Sequence, residues 1–68
     1  MSKVVIQDLQ ILGGEPVFKG TRVPVKSLFD HLEAGDSIEE FLSGFPSVKR
    51  EQVITLLEES KAHALVVA

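Results

Sequence analysis

The sequence predicts a mainly α domain in which three helices follow a small β-platform of two or three short strands. Three observations predict it. The stretch Gly13–Val25, GGEPVFKGTRVPV, holds three of the five glycines and two of the three prolines of the 68-residue chain, a density of turn formers that suits a hairpin-like platform. Beyond it, apolar residues recur at helical spacing in three separate runs. Gly35 and Gly44 stand between those runs where helices end. A chain of this length accommodates one domain, 1–68, divided into a platform (1–23) and a three-helix unit (24–68).

The platform begins with Lys3–Gln7, KVVIQ, whose β-branched residues read as a strand. Val4-Val5-Ile6 is apolar on both faces, so neither face suits water. Such a strand is buried either at a dimer interface or against helices of its own domain. Asp8-Leu9-Gln10 reads as a turn. Gly13-Gly14 allows the backbone to turn sharply, and Glu15, preceding Pro16, is pushed into an extended conformation. Pro16-Val17-Phe18 reads as a second strand, placed at an edge because Pro16 has no amide to donate. Lys19-Gly20 is a further turn and Thr21-Arg22-Val23 a further extended piece. We expect the strands to pair across a homodimer, with Val4, Val5, Ile6, Val17 and Phe18 at the interface.

The first helix is expected over Pro24–Ala34, with Val25, Leu28, Phe29 and Leu32 at i, i+3, i+4 and i+7 on one apolar face. His31 falls near its polar side, without a companion that would make it a metal ligand. Asp36-Ser37-Ile38-Glu39 has the spacing of a capping box, Asp36 as the cap and Glu39 reaching back. The second helix then runs to about Ser43, with Ile38, Phe41 and Leu42 inward, and Phe45 plugs the core. Ser47 is expected to cap a third helix from near Val48 into the sixties. Its apolar face comprises Val53, Leu56, Leu57 and Ala64, widened by Ile54 and Leu65, a breadth that suggests contacts on two sides. The run Ala62–Ala68 is apolar enough to dock on its own domain or on a partner.

The chain has no cysteine, which excludes disulfides and Cys-based zinc sites. A domain so small is marginal alone, so an oligomer or an obligate complex is expected. No apolar run reaches membrane-spanning length and no signal peptide is evident, so no membrane association and a cytoplasmic location are expected. No catalytic constellation, cofactor fingerprint or metal-ligand cluster is legible, so the expected class is a non-enzyme without cofactor.

Net charge is −3, unevenly spread. Over residues 1–27, Lys3, Lys19, Arg22 and Lys26 against Asp8 and Glu15 leave +2. Over 28–68, Lys49, Arg50 and Lys61 against eight carboxylates leave −5. The split reads either as a solvated mixed surface or as two partners, an anion at the basic end and a basic protein at the acidic end.

Two helices joined by a short turn from Asp36 to about Ala64 have the arrangement of a helix-turn-helix. In that module the second helix enters the major groove by its N-terminal residues, here Ser47, Lys49, Arg50 and Gln52. Lys19, Arg22 and Lys26 would add phosphate neutralisation in a dimer. An ordinary helical hairpin explains the same spacing, and Arg22 equally suits pairing with Asp30 or Glu33.

The strings ILGGEPVFKGTRVPV, AGDSIEEFLSGFPSV and REQVITLLEES together resemble domain-of-unknown-function family 433, over about residues 9–62. Members resemble VapB-type antitoxins and are often encoded beside a PIN-like ribonuclease toxin. The resemblance implies a homeodomain-like helical unit on a short β-platform, with Gly14, Pro16, Gly20, Thr21, Arg22 and Pro46 as fold markers. It also implies an antitoxin that binds the toxin, masks its active site and, as a dimer or complex, represses its own promoter. Without a long polar C-terminal extension, neutralisation falls to the third helix and tail, for which we expect Glu58, Glu59, Leu65, Val66 and Val67. A DNA-binding regulator without a toxin and a small dimeric adaptor are the alternatives.

Overall fold

The computed structural model describes residues 2–67, and the side chains of residues 2–66. Two short strands, β1 (Val5–Ile6) and β2 (Val17–Phe18), precede three helices, α1 (Val25–Glu33), α2 (Ile38–Gly44) and α3 (Arg50–Val67). This is the small strand platform and three-helix unit that the sequence predicts.

The strands pair with each other inside one chain. They run antiparallel, with Val5 opposite Phe18 and Ile6 opposite Val17, and the ladder continues where the Lys19 amide donates to the Val4 carbonyl at 2.8 Å. On its other side β2 meets the returning chain: the Phe18 amide donates to the Val23 carbonyl at 3.0 Å and the Val25 amide to the Pro16 carbonyl at 2.9 Å. Pro16 therefore participates through its carbonyl, and β2 is bonded on both flanks rather than lying at an edge. The return is made by a turn with Gly20 at φ 80°, a left-handed conformation that disfavours any side chain. Thr21 secures it, its hydroxyl donating to the Phe18 carbonyl at 2.8 Å and accepting from the Val23 amide at 3.0 Å. Val17 and Phe18 are fully buried in the chain's own core, which corrects their expected place at a dimer interface. Val4 and Val5 pack half-buried on the same core.

Helix α1 ends in a Schellman motif: the Asp36 amide donates to the His31 carbonyl at 2.9 Å and the Gly35 amide to the Leu32 carbonyl at 3.0 Å, with Gly35 at φ 90°. Asp36 is thereby committed to α1, and its carboxylate accepts from His31 Nδ1 at 2.9 Å. The capping box of α2 is accordingly displaced by one residue from the predicted Asp36–Glu39. Ser37 is the cap: its hydroxyl accepts from the Glu40 amide at 3.1 Å, while its own amide donates to Glu40 Oε1 at 2.7 Å.

Between α2 and α3 the Val48 amide donates to the Phe45 carbonyl at 3.0 Å, and this turn swings Val48 into the core at 4% exposure. Two residues beyond the expected start are thus spent on the connection, and Ser47 is not the cap. Lys49 precedes α3, its amide donating to Gln52 Oε1 at 2.9 Å, the half of a capping box that needs no hydroxyl. The core comprises Val17, Phe18, Leu28, Phe41, Val48, Val53 and Leu56. Phe41 is its hub, with ring centroids 6.1 Å from Phe18 and 4.9 Å from Phe45. No helix among the described residues is long and apolar enough to cross a membrane.

Candidate functional site

The residues singled out by sequence fall on two regions of the surface, the opening of α3 and its far end. At the opening, Gln52 ties the platform to the helix. Its Nε2 donates to the Lys19 carbonyl at 3.0 Å while its Oε1 accepts from the Lys49 amide. The turn at Lys19-Gly20 and the first turn of α3 therefore form one surface, on which Lys19 and Lys49 are both exposed. The same tie engages both ends of the Gln52 amide, so this side chain serves as a brace before it could read a base edge. Arg50 pairs with Glu39 of α2, which offsets its charge. Ser47 is exposed in the connecting turn, and Lys26 is exposed in the first turn of α1. Arg22 is exposed as well. Among the described residues the side-chain pairs of basic with acidic groups are the His31–Asp36 hydrogen bond and the Arg50–Glu39 ion pair, so the expected pairing of Arg22 with Asp30 or Glu33 is not made. A shallow depression of about 500 Å³ lies beside this opening, lined by Lys49, Arg50, Glu51, Ile54 and Thr55.

The far end of α3 differs from its expected role in the core. Val53 and Leu56 are buried and Leu57 packs against them, but Ala64 and every other position over 60–66 is exposed. Leu65 is 72% and Val66 83% exposed, and Ile54, earlier on the same helix, is 43% exposed. Ile54, Ala64 and Leu65 thus do not widen the buried face. The side chain of Val67, expected at the same surface, lies outside the described residues.

The two carboxylates expected to act together there are separated in role. Glu58 is exposed. Glu59 holds the N-terminal arm: Ser2 Oγ donates to its Oε1 at 2.6 Å and the Lys3 amide to its Oε2 at 3.0 Å. The Ser2 hydrogen bond first, and the Lys3 amide after it, hold the Glu59 carboxyl below its ordinary range. Ser2 Oγ also accepts from the Val4 and Val5 amides at 3.1 Å each, so the tie extends to the start of β1.

One residue was missed by sequence reasoning. His31, expected on the surface, is half-buried, bonded to Asp36 and set edge-on against Phe41 and Phe45 at centroid distances of 5.5 and 5.8 Å. The available signal was the five-residue spacing of His31 and Asp36 across Gly35, which a Schellman motif brings together.

A family model described as "Protein of unknown function (DUF433)" matches residues 5–58. The uncharacterized protein y4eO of Sinorhizobium fredii is 41% identical over 51 residues, which is 75% of this chain and 23% of that protein. The chain thus spans about a quarter of the length of the curated relative it matches. No solved structure matches.

Proposed function

We propose, for a chain that belongs to the DUF433 family of proteins of unknown function, that it is an antitoxin-like protein that binds and neutralises a PIN-like ribonuclease. The observation that carries this reading is the far end of α3. A helix needed only for the core would stop near Leu57, yet α3 continues to Val67, with Leu65 and Val66 exposed at 72% and 83%. An exposed apolar helix end is what a helix-in-groove contact requires. The excess of carboxylates over 28–68, net −5, complements a basic RNA-binding groove and favours its encounter. Because Glu59 is engaged by the N-terminal arm, Glu58 supplies the acidic contact and Leu65 and Val66 the apolar one.

The test is co-expression with the protein encoded beside it, only that neighbour being tagged. The expected result is stoichiometric co-purification with loss of the neighbour's ribonuclease activity. Leu65→Asp with Val66→Asp should lower the affinity at least about tenfold, on the scale of removing two buried anchors. Purification of this chain without the neighbour overturns the reading.

A second reading, promoter binding by the α2–α3 unit as a helix-turn-helix, is favoured by the Gln52 tie that sets Lys19 beside Lys49. It leads to a salt-dependent affinity for promoter DNA. Lys19→Ala and Lys49→Ala should each flatten the salt dependence by about one phosphate contact. An affinity unchanged by salt would remove it.

A further inference from the structure

The outward face of α3 carries a line of four residues, Ile54, Glu58, Lys61 and Leu65, spaced by four, three and four. That spacing keeps them within about 60° of arc and about 16 Å of helix length. All four are exposed; the buried Leu56 lies on the opposite side of the helix and the buried Val53 about 110° round from the line. Neither Glu58 nor Lys61 belongs to the ion pairs found among the described residues.

Read along the helix, the line is apolar, acidic, basic, apolar. Turned end for end about a twofold axis between Glu58 and Lys61, it is complementary to itself. Apolar then meets apolar at both ends, and each carboxylate meets an ammonium in the middle. A parallel pairing in register would instead oppose Glu58 to Glu58 and Lys61 to Lys61, an arrangement that like charges disfavour. A shallow depression adjoins Ile54, the residue that faces Leu65 of the second copy in the antiparallel arrangement. The strands offer less, since Val17 and Phe18 are already buried and the Val5 amide is taken by Ser2 Oγ.

We propose that the partner of this face is a second copy of the chain, α3 packing antiparallel on α3 with Ile54 against Leu65 and Glu58 paired with Lys61 across the axis. A contact between single helices over three turns lies at the small end of specific interfaces, below about 1,200 Å². The dimer therefore dissociates in the micromolar range or above. Leu65 and Glu58 also belong to the surface proposed for the ribonuclease, so the two occupants exclude each other. The dimer itself does not depend on the ribonuclease reading, because it is tested on this chain alone.

The experiment is sedimentation equilibrium of the full chain from about 1 μM to 1 mM, a range that brackets dissociation constants of that order. Wild type should pass from monomer to dimer across it. Glu58→Lys and Lys61→Glu should each weaken dimerisation by about tenfold or more, since either replaces two attractive pairs by two repulsive ones. An equimolar mixture of the two variants should form a heterodimer at wild-type strength, because every opposed pair is then attractive again. The double variant should form a homodimer for the same reason. Both positions are exposed, and far-ultraviolet dichroism verifies that each variant is folded. A wild type that stays monomeric throughout overturns the proposal. So do single variants that dimerise like wild type, or a mixture no stronger than its components.

Discussion

At the scale of single residues, His31 shows how local chemistry sets a junction between elements. The Schellman motif closes the backbone between positions 31 and 36, and the side chains of the same two residues close a second bond at 2.9 Å. The ring then provides an edge for Phe41 and Phe45. His31→Ala removes one side-chain hydrogen bond and two aromatic contacts, and should destabilise the fold by about 1–2 kcal/mol, read as a lower urea midpoint at unchanged slope. Helical periodicity puts His31 on the polar side of α1, whereas the ring is half-buried against Phe41 and Phe45. It missed the role because the rings that meet it come from α2 and from the turn beyond, and their arrival depends on how the chain reverses at Gly35. Gln52 was singled out for a similar reason: its position in the first turn of α3 is legible, whereas the proximity of the Lys19 carbonyl is not.

At the scale of elements, helix existence was legible and the exact starts were not. The start of α2 was displaced because a residue with two possible partners took the one supplied by its neighbour in space, and that of α3 because the Phe45–Val48 turn extends the connection. Asp36 has the right spacing to cap α2, but it completes the end of α1, and Ser37 takes over the cap. Ser37→Ala should therefore cost about 1 kcal/mol of stability, measured by thermal or urea unfolding, while Glu39→Gln leaves the cap intact. The turn at Gly20 is legible in the sequence for a reason that holds in the fold, its φ of 80°. Gly20→Ala should destabilise by about 1 kcal/mol, the ordinary cost of a left-handed conformation for a residue with a side chain, and this too is read from the unfolding midpoint.

At the scale of the whole molecule, the N-terminal arm is held to α3 by Glu59, and this contact has a definite pH dependence. The carboxyl is held below its ordinary range in the folded chain, so the unfolded chain binds a proton first as the pH falls. The contribution is present in full above the ordinary carboxylate range and is lost as the pH drops through the lowered value. Wild type should lose stability in that acid window more steeply than Glu59→Gln, as measured by urea midpoints at a series of pH values. The opening of α3 and its far end are set apart by the same architecture: the first is braced by the platform and α2, the second extends past both. The ribonuclease contact is proposed at the far end, DNA at the opening, and the second copy of the chain on the outward face that runs from Ile54, beside the opening, to Leu65.

The order and kind of the elements, the turn positions at Gly20 and Gly35, and the inward residues Leu28, Phe41, Val53 and Leu56 follow from the sequence alone. Each depends on local periodicity or on a backbone angle that one residue type supplies. The pairing of β1 with β2 in a single chain, the burial of Val17 and Phe18, the engagement of Glu59 and Gln52, and the exposure of Ile54 and Leu65 were decided only by the tertiary structure. A strand carries no label for which edge it meets. An apolar residue on a helix is buried only as far as the rest of the chain extends to cover it.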